Sequence, residues 1–124
     1  MSGRSVAHKQ LIDPQAWDAI VTELCGSTAI AQRFVSDYVR AWPVRYDRFC
    51  AALAAADAEE AYVSLLSIRT ASQMVGAVRL ARRAAKLEPP ARAGRFAECA
   101  AGLGRLHSTG EKTMRALIQA TAVP

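Results

Sequence analysis

Side chains able to attack, relay a proton or hold a metal are few in this chain. It has two histidines, His8 and His107, and three cysteines, Cys25, Cys50 and Cys99. An odd cysteine count without C-x-x-C spacing argues against a disulfide framework and against zinc, and fits reduced thiols. His8 lies in a polar stretch without helical context. His107 follows Leu106 in an amphipathic pattern, where surface or half-buried packing is expected. Asp57, Glu59 and Glu60 cluster at a helix start, where capping and the helix dipole account for them, as they do for Asp13 and Asp18. No histidine stands near these carboxylates to make an acid–base pair, and no glycine-rich phosphate loop occurs. These residues point away from an enzyme, a cofactor or a metal, and toward binding through surface side chains.

Two surfaces are candidates. Arg79, Arg82, Arg83 and Lys86, with Arg92 and Arg95 beyond a turn, make a basic run in a chain of net charge +5. Such a run is ordinarily a solvated face; its functional reading is docking to an acidic protein. Nucleic acid is a poorer match, because the run is not interleaved with aromatic residues and no nucleic-acid-binding signature is present. The second candidate is the stretch SLLSIRTASQMVGA, residues 64–77. At about 100° per residue, Ala61, Leu65, Ile68, Ser72 and Val75 fall in one narrow sector, which must face a core. Tyr62, Leu66, Arg69 and Gln73 form a second stripe about 100° round from the first, with Thr70 beside it, and this stripe should be largely exposed.

The elements that position these stripes read as helices throughout. The chain has 124 residues, 52% of them hydrophobic and many alanine, which fits one helical domain and offers no alternating strand pattern. Residues 1–11 read as a mobile tail and residues 12–122 as the domain. A first short helix is capped by Asp13, opens with Pro14, faces inward with Trp17, Ile20, Val21 and Leu24, and closes at Gly26. A longer helix is capped by Ser27 or Thr28 and packs through Ile30, Phe34 and Tyr38. Near Trp42 and Pro43 a kink or short break is expected, before a restart through Tyr46, Phe49, Cys50 and Leu53. Asp57 caps a third helix that runs to about Gly76. A fourth follows, with Val78, Leu80 or Ala81, Ala84, Ala85 and Leu87 inward, and PPARAG marks the turn after it. The last spans about Arg92 to Ala120, with Phe96, Cys99, Leu103, Leu106 and Leu117 inward and a bend near His107 to Gly110. The pattern predicts an all-α antiparallel four-helix bundle with the short first helix as a lid.

The third helix resembles the signature of the histidine-containing phosphotransfer (HPt) domain, a four-helix bundle whose exposed histidine accepts a phosphoryl group from a receiver-domain aspartate. Ser67, Ile68, Arg69, Ala71, Ser72, Val75, Gly76 and Ala77 stand where that family has its hydroxyl residue, leucine, lysine, small pair, aliphatic, glycine and alanine. LIDPQAWDAI resembles the family's opening helix, PVRYDRFCAALAAAD its P-x-R-x-x-x-[LF]-x-x-A-L-x-x-x-D stretch, and RLARRAAKLE the helix after the signature. The register places Leu66 at the phosphorylated histidine and Thr70 at a glycine that lets a receiver approach. Leucine has no lone pair and cannot carry phosphate.

The resemblance therefore implies a non-phosphorylated adaptor or inhibitor. It would dock on a receiver domain or a histidine kinase through Tyr62, Leu66, Arg69, Thr70 and Gln73, as a monomer or weak dimer. A self-associating scaffold and a basic nucleic-acid-associated protein are the alternatives. No apolar run approaches the roughly 20 residues of a membrane span, and no signal core is seen, so a cytoplasmic location is expected.

Overall fold

A computed structural model describes residues 11–23 and 28–121. It contains five helices: α1 Pro14–Glu23, α2 Thr28–Ala54, α3 Ala58–Met74, α4 Val78–Arg92 and α5 Phe96–Ala120. Helices α2 to α5 form a closed ring in which α3 packs on α2 and α4, and α5 on α4 and α2. Links of three residues force neighbours antiparallel, which is the expected bundle. The tail residues before Leu11, the proposed ends of the first helix at Leu24 and Gly26, the Ser27 cap, Cys25 and His8 lie outside the described residues.

Local chemistry sets the helix ends. Asp13 Oδ1 accepts from Gln15 N at 3.0 Å, and Asp57 Oδ1 from Glu60 N at 3.0 Å, so both predicted caps are made. Between α3 and α4 the chain turns at Gly76 with φ +75°, where a side chain is strained. A Cβ there would also meet Ala16 Cβ at 3.0 Å and Asp13 O at 3.2 Å. That close approach lets Asp13 N donate to Gly76 O at 2.7 Å, which fastens the lid helix over the α3–α4 turn.

The core is a single cluster. Phe49 from α2, Leu65 and Ile68 from α3, Leu80 from α4, and Leu106 and Leu117 from α5 are fully buried. All five residues of the predicted α3 core sector are buried. One of them, Ser72, shares a 2.6 Å hydroxyl hydrogen bond with Tyr38 of α2.

Burial pushes the Tyr38 phenol up to about 12, against smaller downward effects of Ser72 and Arg45. Unfolded tyrosine ionises near 10, so this site contributes stability that is complete below pH 10 and lost as pH rises through 12. Two pKa units correspond to roughly 3 kcal/mol. Tyr38→Phe should cost about 1 kcal/mol at pH 8, by orphaning the Ser72 hydroxyl. The variant should then lose less stability than wild type between pH 8 and pH 11 in urea unfolding. Parallel losses in the two proteins would exclude Tyr38 as the titrating group.

Four expectations change. Helix α2 runs through Pro43 without a break. Pro43 is exposed, while Tyr38, Trp42 and Phe49 are buried on both sides of it and hold the two halves to one core. Ile30 is 51% exposed, and Ala31, Val35 and Tyr38 make the inward line instead. PPARAG is not all turn. Pro89 and Pro90 lie inside α4, and the last helix starts at Phe96 rather than Arg92. Prolines lack the N–H but keep the carbonyl: Ala93 N donates to Pro89 O at 3.0 Å and Arg95 N to Pro90 O at 2.8 Å. The reversal falls at Gly94, φ +74°. Finally, α5 is one uninterrupted helix through His107 and Gly110, because Gly110 makes room for a neighbouring indole.

Candidate functional site

The outer stripe of α3 is built by its helical register and finished by α4. Thr70 and Gln73 are exposed as expected, but Tyr62, Leu66 and Arg69 are half-buried. Two long side chains cross from α4. The Arg92 guanidinium lies over the Tyr62 ring, 4.6 Å from its centroid, a cation–π contact. Arg69 Nε donates to Glu88 Oε2 at 2.5 Å, with the two side chains only 28% and 13% exposed. That hydrogen bond raises the Arg69 pKa further. Glu88 and Arg92 are one turn apart, and the partners they reach, Arg69 and Tyr62, are two turns apart, so Leu66 sits between two cross-helix bridges. The expectation of an open stripe is thus corrected to a formed surface with a half-covered leucine at its centre.

Its reactivity is low. The Thr70 hydroxyl donates to Leu66 O at 2.9 Å, so it is turned to its own helix. Leu66 offers no nucleophile, and Arg69 is engaged by Glu88. The arrangement can present shape and charge.

A second line on α3, missed in the sequence, faces α2. Ser67, Ala71 and Met74 recur at i, i+4 and i+7. Arg45 Nε donates to Ser67 Oγ at 3.3 Å, and Arg45 Nη1 is buried without a hydrogen-bond partner among the described residues. Phe34, Tyr38, Arg45, Ala71 and Met74 border a groove here, and Met74 is 61% exposed at its mouth. The readable signal was Met74, a large apolar residue off the core sector next to the stripe.

The remaining candidates fall elsewhere. His107 lies on α5, across the ring from α3. Its ring packs 4.9 Å from that of Tyr46, and its Nε2 is 3.7 Å from Glu111 Oε2. The same carboxylate oxygen accepts from Trp42 Nε1 at 2.9 Å. This is packing around the α2–α5 contact. Cys99 is fully buried, and burial pushes its thiol pKa up. Glu60 pairs with Arg48, leaving the acidic cluster in a structural role beside the Asp57 cap. Arg79, Arg82, Arg83 and Lys86 converge on a shallow hollow of α4. Among the described residues no three potential metal ligands group together, and no helix is long and apolar enough to cross a membrane.

No protein-family model matches the chain, and no curated protein sequence does. A solved structure does match: histidine-containing phosphotransfer protein B from Pseudomonas aeruginosa PAO1 superposes with a TM-score of 0.83. The match covers 91% of this chain and 96% of that one at 20% sequence identity. The fold is therefore that of a histidine-containing phosphotransfer protein, an all-α HPt-type bundle.

Proposed function

We propose that this chain is a docking protein on the HPt fold that takes no phosphate and binds a receiver domain or a histidine kinase in a phosphorelay. The single observation that carries the reading is the place of Leu66. In the register of the sequence resemblance it stands where the signature has its histidine, and the Tyr62–Arg92 and Arg69–Glu88 bridges hold a formed surface around it. A half-covered leucine ringed by an aromatic residue and arginines has the make-up of an interface centre. The groove beside it, with exposed Met74, extends that surface in the apolar sense. The basic balance of the chain suits a receiver, whose active site is rich in aspartate. Bound this way, the chain would occupy the face that a phosphate-carrying partner needs, and so act as an inhibitor or adaptor.

The test is titration of the purified chain against the host's receiver domains and kinase dimerisation domains by isothermal calorimetry. At least one should bind wild type, and Leu66→Asp should weaken it at least tenfold, about 1.4 kcal/mol, with an unchanged helical circular dichroism spectrum. Equal affinity of the folded variant would remove α3 from the interface.

A further inference from the structure

Helix α4 has two flanks with different occupations. Its Glu88 and Arg92 face α3 and are engaged there. About 180° round the helix, Arg79, Arg82, Arg83 and Lys86 share one sector. Their spacing makes i,i+3 and i,i+4 neighbours of like charge, which repel. The sector also begins at the positive end of the helix dipole, where α4 has no acidic residue in its first turn and no side-chain cap at Ala77. Among the described residues no carboxylate forms an ion pair with Arg82, Arg83, Lys86 or Arg105, whereas Arg48, Arg69 and Arg95 each have one. The fold has left Arg82, Arg83, Lys86 and Arg105 without a carboxylate neighbour among the described residues.

The sector continues into a cleft between α4 and α5. Arg83 and Lys86 form one wall and Arg105 the other, and the floor is Leu87, Ala101 and Gly102. The floor carries apolar surface, so the cleft is more than a patch of charge. A phosphate backbone would meet the cations but has nothing apolar to place on Leu87, and no aromatic ring lines the cleft to stack a base. A protein segment can satisfy both features, with carboxylates toward the two walls and an aliphatic side chain between them.

We propose that the α4–α5 cleft is a second docking site, for an acidic segment of a partner protein that carries a leucine-sized residue between its carboxylates. It lies on the flank of α4 turned away from Leu66, so the two surfaces can be occupied together. A bivalent bundle of this kind would hold an acidic partner on one flank while α3 engages another. The proposal does not depend on what binds α3.

The test uses the full chain and fluorescence anisotropy at 0.1 M salt. The probe is a labelled helical peptide of about 15 residues with glutamates at i, i+3, i+4 and i+7 around one leucine. Saturable binding is expected. Arg83→Glu with Lys86→Glu should weaken it at least tenfold, and so should replacing the peptide's leucine by serine. Leu66→Asp should leave it unchanged, and circular dichroism should show all variants folded. Three results would overturn the proposal: no saturable binding, equal binding of the serine peptide, which means charge alone, or tighter binding of a DNA or RNA duplex at the same salt.

Discussion

Gly110→Ala is expected to lower the thermal midpoint by about 10 °C, although the same change in an exposed helix ordinarily stabilises. A Cβ on Gly110 would lie 2.0 Å from Trp42 Cζ2, 2.4 Å from Cη2 and 2.5 Å from Cε2. These are rigid ring atoms, and Trp42 is only 3% exposed, so the indole must move as a whole. Its Nε1 donor bond to Glu111 would be broken or stretched. Overpacking of this kind costs about 1–3 kcal/mol, and the lost hydrogen bond about 1 more. Better helix propensity returns at most about 1 kcal/mol. The net is about 1–3 kcal/mol, and a Cβ 2.0 Å from a rigid ring atom puts it at the upper end, which at roughly 4 °C per kcal/mol for a domain of this size gives the stated shift. Gly104→Ala is the control. Nothing lies within 4 Å of a Cβ there, so the propensity term acts alone and the midpoint should rise by a few degrees. Differential scanning calorimetry of the two variants decides the matter. Shifts of the same sign would show that helix propensity, and not contact with Trp42, governs Gly110.

That pair of glycines marks the boundary of what the sequence discloses. Read as propensity, Gly102, Gly104 and Gly110 all weaken a helix and suggest a bend. Only the packing of α2 on α5 shows that Gly110 is a socket and Gly104 a free position. Pro43 teaches the same point. A proline in mid-pattern predicts a break, and tertiary anchoring by Trp42 and Phe49 overrides it. By contrast, the α3 core sector was legible in full, because a helix with one buried face imposes a period that survives any environment. The caps at Asp13 and Asp57 were legible for a related reason: their chemistry is local, completed within three residues.

The candidate site was legible in its membership but not in its state. Periodicity assigns Tyr62, Leu66, Arg69 and Gln73 to one stripe, yet it cannot show that Glu88 and Arg92 lean across from the next helix. Those contacts depend on the register between α3 and α4, which is set by the turn at Gly76 and has no signature in either helix alone. The same reach hides the groove at Met74, since Arg45 and Phe34 come from a helix that ends four residues before α3 begins. The outcome bears on mechanism. A stripe held by two inter-helix bridges is preorganised, so a partner docking there as proposed would pay little conformational cost.

Leu66→His is expected to create a phosphoacceptor where wild type has none. The position lies on the outer side of α3, one turn from each bridge, and imidazole is of a size that the half-buried site can hold. Arg69 is already engaged by Glu88, so its charge is compensated and need not suppress the neutral, nucleophilic imidazole near pH 7. Thr70 is the remaining obstacle, since it places a branched side chain, hydrogen-bonded to Leu66 O, one turn along the same surface. Incubation with a phosphorylated receiver domain that binds the chain should leave wild type and Leu66→Gln unlabelled. Leu66→His should take up alkali-stable, acid-labile label, the behaviour of a phosphoramidate. Adding Thr70→Gly should raise the labelling rate at least tenfold, even though glycine costs the helix about 0.5–1 kcal/mol. A rate indifferent to Thr70→Gly would mean that threonine does not restrict approach. A Leu66→His variant that binds the receiver but never labels would mean that residue 66 is not aligned with the aspartyl phosphate. The docking surface would then have to be moved along α3, toward Ser67 and Met74.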